Sequence, residues 1–113
     1  MIQIYHNSRC GKSRECLAFF EDSGKEFEII KYLDDVPTFD ELKAIIKKLD
    51  LKPIELVRRK EKIWIENFKD KTMSDDEIIQ SMISNPILIE RPIVINGDKA
   101  VIARPLAKAA AIL

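Results

Sequence analysis

Ile2-Gln3-Ile4-Tyr5-His6-Asn7-Ser8-Arg9-Cys10-Gly11-Lys12-Ser13-Arg14-Glu15-Cys16-Leu17-Ala18-Phe19-Phe20-Glu21-Asp22-Ser23-Gly24-Lys25-Glu26-Phe27-Glu28-Ile29-Ile30-Lys31-Tyr32 is the stretch that decides the fold. Ile2, Ile4 and His6 fall on one side of an extended chain and Gln3 and Tyr5 on the other, so a short strand is expected up to Asn7-Ser8. Helical spacing follows from Cys10 to Glu21, with Cys16, Leu17, Ala18, Phe19 and Phe20 as its apolar residues. Ser23-Gly24 stops that helix, because glycine alone takes the left-handed C-terminal position without a Cβ clash. A second strand runs from Glu26 to Tyr32, with Phe27 and Ile29 inward. Strand, helix and strand within so short a span make a βαβ unit, and its strands are expected to be parallel.

Downstream, residues 34 to 84 change to helical periodicity. Thr38 with Glu41 and Ser74 with Glu77 have the spacing of capping boxes. The first opens a helix with Leu42, Ile45, Ile46 and Leu49 on one face; the second opens one with Ile78, Ile79, Met82 and Ile83, ended by Asn85-Pro86. Between them, Ile54 to Phe68 is expected to form one or two short helices. Strand character returns in Pro92-Ile93-Val94-Ile95 and Lys99-Ala100-Val101-Ile102, joined by Asn96-Gly97, read as a type I′ hairpin turn. Pro105 to Leu113 reads as an Ala-rich helix with proline in its first turn. The order is β-α-β, a helical insertion at about 34–84, then β-β-α. One α/β domain over 1–113 is expected, with a four-stranded mixed sheet.

Composition narrows the function classes. The 113 residues carry 19 Lys+Arg and 19 Asp+Glu, a formal net charge of zero, two Cys and one His. A neutral chain with pI near 6.6 has no bulk electrostatic hold on nucleic acid or an anionic membrane. Lys47-Lys48 and Arg58-Arg59-Lys60 with Lys62 are locally basic, but acidic residues flank them. No apolar run approaches the roughly 18 residues of a membrane span, and no basic segment with an apolar run opens the sequence. The expected compartment is therefore a reducing cytoplasm, where cysteine serves reactivity rather than bridging. One His and two Cys cannot complete a tetrahedral zinc site from protein ligands alone, and no metal is expected.

The chemistry concentrates where the first strand hands over to the first helix. A cysteine at a helix start faces unpaired backbone N–H groups and the positive end of the helix dipole, both of which favour a thiolate. Arg9, Lys12 and Arg14 add positive charge, Arg14 one turn on from Cys10, and the same N–H groups suit a tetrahedral oxyanion. Cys16 lies about 9 Å further along the helix axis and off the Cys10 face, so it reads as a packing residue. Cys10-Gly11-Lys12-Ser13 is CxxS, so no local dithiol can close, and a resolving thiol must come from another molecule. His6 is placed to tune the thiol through the turn. Arg91 and Arg104 stand just before and just after the hairpin, at the same end of it. Trp64 and Phe68, four residues apart, read as a packing pair.

These residues resemble the ArsC-type arsenate reductases of the glutaredoxin-coupled class, which share a thioredoxin/glutaredoxin-like fold with Spx-like regulators. The resemblance is carried by Ile4-Tyr5-His6-Asn7, Cys10-Gly11 with Ser13-Arg14, Leu56-Val57-Arg58, the helix opened by Ser74, Asn85-Pro86-Ile87-Leu88-Ile89-Glu90-Arg91-Pro92-Ile93-Val94, and Arg104-Pro105. It implies a nucleophilic thiolate at Cys10 and an arsenate oxyanion held by Arg58, Arg91 and Arg104. It also implies a cis-proline at Pro92 and supporting roles for His6, Ser13 and Arg14. Ser8 stands where the family commonly has proline, and Arg9 and Lys12 are bulkier and more basic than its usual residues there. The implied reaction uses glutathione as co-substrate and a glutaredoxin as partner, with no tightly bound cofactor. Two other readings stay open: a glutathione-linked thiol oxidoreductase acting on another substrate, and an Spx-like RNA polymerase-binding regulator. Ser13 stands where such a regulator commonly has its second cysteine.

Overall fold

The computed structural model describes residues 2–113. They fall into two compact units, one of residues 2–35 with Arg91–Leu113 and the other of Val36–Glu90. The second unit holds the helical segment and runs on past its last α-helix, which ends at Ser84, to Glu90.

In the first unit, β1 (Ile2–Tyr5), β2 (Phe27–Ile30), β3 (Ile93–Asn96) and β4 (Lys99–Ile102) form one sheet in the order β2-β1-β3-β4. β1 pairs parallel with β2, Ile4 opposite Ile29, and antiparallel with β3, Ile4 opposite Val94; β3 and β4 are antiparallel. The mixed sheet is the one expected from the βαβ and hairpin signals. Its directions bring the C-terminal ends of β1, β2 and β4 and the N-terminal end of β3 to one edge. The residues following β1 and β4 and preceding β3 are Cys10, Arg104 and Arg91.

Helix α1 (Gly11–Ser23) buries Ser13, Cys16 and Phe20. Cys16 and Phe20 pack with Ile2, Ile4, Val94, Ala103 and Ala109, the last from the short helix α6 (Ala107–Ala110). Full burial of a side chain such as Ile4 or Phe20 contributes about 1.5–3 kcal/mol, and this cluster holds α1 on the sheet. Gly24 ends α1 at φ +74°, the left-handed geometry that its position predicted.

Three expectations differ in detail. Ile29 is 40% exposed, and β2, at the edge of the sheet, pairs with β1 alone. The hairpin loop is Gly97-Asp98, since Asn96 pairs with Lys99. Within this loop positive φ is confined to Gly97, the pattern of a type II′ turn rather than type I′. The last helix is only four residues long, and bonds from the Lys108 N–H to the Pro105 carbonyl and from the Leu113 N–H to the Ala110 carbonyl make its flanks three-residue turns.

The second unit contains α2 (Phe39–Leu49), α3 (Pro53–Leu56), α4 (Lys62–Asn67) and α5 (Asp75–Ser84), followed by a 3-10 turn at Pro86–Leu88. Both capping boxes form, Thr38 with Glu41 and Ser74 with Glu77. Leu42, Ile45 and Ile46 are buried from α2, and Ile78, Ile79 and Met82 from α5. Trp64 and Phe68 pack at 5.4 Å between ring centroids. Val57 and Ile89 form an isolated antiparallel bridge, flanked by bonds from the Arg58 N–H to the Leu88 carbonyl (2.7 Å) and from the Glu90 N–H to the Leu56 carbonyl (2.9 Å).

Candidate active site

The loop from His6 to Cys10 is built by its own short-range bonds. The His6 N–H donates to the Ile30 carbonyl (2.9 Å), carrying the parallel ladder one residue past β1. Asn7, buried, then closes the turn: its carbonyl accepts the Cys10 N–H (3.0 Å) and its Oδ1 accepts the Arg9 N–H (2.9 Å). Asparagine suits this place because its side chain imitates a backbone turn. The Asn7 N–H in turn donates to Ser13 Oγ (3.0 Å), and Ser13 Oγ lies 2.7 Å from His6 Nδ1. Ser13, from the first turn of α1, thus pins the end of β1 to the helix start.

Cys10 occupies the N-cap position of α1 with an extended backbone (φ −98°, ψ 123°). An oxygen-bearing side chain usually stands there and accepts the N–H groups of the first turn. Here a sulfur stands at that position, facing the first-turn N–H groups without a side-chain cap bond. Burial is the largest single influence on the thiol and works against its ionisation. The N–H groups of Ser13 and Lys12, the Arg91 side chain and the Arg104 charge together outweigh it and hold the thiol below its ordinary value. Arg104 bridges Cys10 and Arg91: its Nη2 donates to Cys10 Sγ at 3.2 Å and its Nε to the Arg91 carbonyl at 2.6 Å. One guanidinium therefore links the sulfur to the segment that carries Arg91, which is itself only 7% exposed. The Arg91–Pro92 and Arg104–Pro105 peptide bonds are both cis.

The structure brings Cys10, Arg91, Arg104, His6, Ser13 and Pro92 into the first unit. Arg14 is exposed and its Nη1 donates to the Ser8 carbonyl (3.0 Å), so it braces the loop from outside. Arg58 belongs to the second unit, where it pairs with Glu90 (2.8 Å) and Glu61 (3.3 Å). Burial, then the Lys31 charge, push the His6 pKa down, so the ring favours its neutral form. Cys16 is fully buried and desolvation pushes its thiol up to about 11, the opposite of Cys10. Asn7 and Lys31 are the site neighbours that sequence reading did not single out. Asn7 had a signal in its Asn-Ser turn composition; Lys31 had one only through the parallel pairing of β1 and β2. Among the described residues no group of His, Cys, Asp or Glu could hold a metal ion.

A thiol at a helix start, backed by two arginines at one edge of a four-stranded mixed sheet, defines a thiol-centred site on a thioredoxin-like fold. The ArsC family profile matches residues 5–112, and the chain belongs to the ArsC family. It is 42% identical over 106 residues to the uncharacterised protein YfgD of Escherichia coli K12, covering 92% of this chain and 89% of that protein. It is 38% identical over 114 residues to an arsenate reductase of Neisseria meningitidis, covering 99% and 97%. A solved arsenate reductase from Vibrio cholerae superposes with a TM-score of 0.94 at 40% identity, covering 99% of this chain and 97% of that one.

Proposed function

We propose that this chain is an arsenate reductase in which Cys10 is the nucleophile and glutathione and a glutaredoxin supply the electrons. The observation that carries the reading is the Arg104 guanidinium, 3.2 Å from Cys10 Sγ and tied to Arg91. The same cations that favour a thiolate can receive an arsenate oxyanion beside it, and charge-assisted bonds to arginine are among the stronger polar contacts.

In the first step the Cys10 thiolate attacks arsenic; an S–As bond forms, an As–O bond breaks, and the oxygen leaves as water after protonation. Arg91 and Arg104 offset the negative charge that builds on the remaining oxygens. Glutathione then replaces a second oxygen, which also leaves as water. A glutaredoxin thiolate attacks the glutathione sulfur and forms a mixed disulfide, while the electron pair of the S–As bond stays on arsenic and reduces it from As(V) to As(III). Hydrolysis of the remaining Cys10–arsenic bond releases arsenite and restores the thiol. One protein cysteine suffices, in keeping with the CxxS sequence and the buried Cys16. Reduced thiols on both sides suit a cytoplasmic setting. Arg58 is the third arginine that the family resemblance implies; in its own unit it is paired with two carboxylates, Glu61 and Glu90.

The test is arsenate-dependent NADPH oxidation with glutathione, glutathione reductase and glutaredoxin, comparing wild type with Cys10→Ser. Turnover lost on that substitution supports the reading. No turnover from wild type, with a working control enzyme in the same assay, refutes it and leaves a glutathione-linked thiol enzyme acting on another substrate.

A further inference from the structure

A second concavity borders the catalytic loop and has no role in the steps above. It is a cleft of about 330 Å³ lined by His6, Asn7, Ser8, Arg9, Lys31, Leu33 and Asp34. Its size suits a small molecule rather than a protein segment. The sheet order β2-β1-β3-β4 fixes its position. Lys31 to Asp34 follow β2, on one flank of the loop that leaves β1; Arg91 and Arg104 border β3 and β4, on the other flank. Ser8 and Arg9 belong to the cleft and immediately precede Cys10, so the Cys10 Cα lies no more than about 7 Å from that of Ser8.

The lining is specific in its charges. Arg9 and Lys31 are two exposed cations, Asp34 is an exposed carboxylate, Asn7 and Ser8 are neutral polar groups, and Leu33 is an apolar side chain 37% exposed. Arg9 is bound to the loop through its backbone N–H, which leaves its guanidinium available. A bare oxyanion is not the fitting occupant, because Asp34 would repel it and the arginines on the other flank offer it a better place. A zwitterion with more than one carboxylate and one ammonium matches two cations and one anion.

We propose that this cleft seats the thiol co-substrate, a small peptide thiol carrying carboxylates and an ammonium, with Arg9 and Lys31 on its carboxylates and Asp34 on its ammonium. The inference rests on the arsenate reductase reading and adds to it a division of labour: the oxyanion enters from the β3–β4 side of the loop and the thiol from the β2 side. The two ligands then meet at Cys10 without competing for the same cations.

The experiment pairs kinetics with binding. Steady-state KM values for glutathione and for arsenate are measured for wild type, Lys31→Gln, Arg9→Gln and Lys31→Arg. S-methylglutathione, which has no thiol to react, is titrated into the same proteins and followed by backbone amide NMR. Each Gln variant is expected to raise the KM for glutathione about three- to fivefold, the scale of one exposed charge contact, and to change the KM for arsenate by less. Lys31→Arg should restore the wild-type value, and 2-mercaptoethanol, a neutral thiol, should be insensitive to all three substitutions. S-methylglutathione should shift the amides of Ser8, Arg9, Leu33 and Asp34. Unchanged glutathione KM values in both Gln variants, with arsenate turnover intact, would overturn the cleft assignment and leave the reductase reading standing. Cleft-centred shifts that weaken in Lys31→Gln, without arsenate turnover in wild type, would uphold the cleft and refute the reductase. Shifts centred elsewhere would overturn the cleft in either case.

Discussion

Arg104→Gln removes a guanidinium bonded to Cys10 Sγ while keeping much of the side-chain stem. At 3.2 Å beside a partly exposed sulfur, the lost attraction is about 1.5 kcal/mol, toward the solvent-screened end of the Coulomb range. Since one pKa unit corresponds to about 1.4 kcal/mol, the Cys10 midpoint should rise by about one unit. The sign follows from the thiolate being the reactive species: below the midpoint alkylation fails, so a raised midpoint weakens reactivity at neutral pH. At pH below both midpoints the thiolate fraction falls about tenfold, but a more basic thiolate attacks about threefold faster for a Brønsted slope near 0.45, so the net loss there is about threefold. At high pH the order reverses and the variant should be about threefold faster. Iodoacetamide labelling of the Cys10 peptide between pH 5 and 10, read by mass spectrometry, gives both limbs. Cys16 stays silent because it is buried and its thiol is pushed up to about 11. Two superimposable pH profiles would refute the claim that Arg104 stabilises the thiolate, and with it the electrostatic basis of the proposed site.

Other outcomes follow from the same geometry. Ser13→Ala deprives the Asn7 N–H and His6 Nδ1 of their buried partner and should cost about 1–3 kcal/mol in urea unfolding. Because its backbone N–H still faces the sulfur, that variant should shift the labelling midpoint less than Arg104→Gln does. Cys16→Ala should leave arsenate turnover and labelling intact while lowering stability by about 1 kcal/mol, the scale of a small core truncation; loss of turnover in the folded variant would contradict the one-cysteine scheme. Hydrogen bonds to Thr38 and Ser74 hold the Glu41 and Glu77 carboxyls below their ordinary range. Their contribution to stability is therefore present above the unfolded value of about 4.3 and lost as pH falls through the lower folded values. Glu41→Gln with Glu77→Gln should match wild type at pH 2 and fall below it near neutrality, read by thermal unfolding.

What the sequence made legible were features whose cause is local. Gly24 as a left-handed helix end, the Thr38 and Ser74 capping boxes, and Cys10 at a strand-to-helix junction each depend on residues within four positions of one another, so spacing alone reveals them. Ile29 misled because alternation assigns a face but not a place in the sheet, and only the strand order shows that β2 is an edge. The hairpin misled for a related reason. Asn96-Gly97 has the composition of a type I′ turn, but the register of β3 on β4 makes Gly97-Asp98 the loop, moving glycine to the first central position. The site shows the same division between local and distant causes. Cys10 is legible in one dimension, whereas Arg91 and Arg104 could be brought to it only through the antiparallel hairpin that returns both ends of its strands to one edge. Nothing in the neighbourhood of Lys31 marks it; parallel pairing of β1 with β2 puts it beside the loop that leads to Cys10. In this fold the edge where β1, β2 and β4 end and β3 begins gathers residues from four distant stretches. It is there, around the Cys10 thiol, that sequence spacing stops being informative and topology takes over.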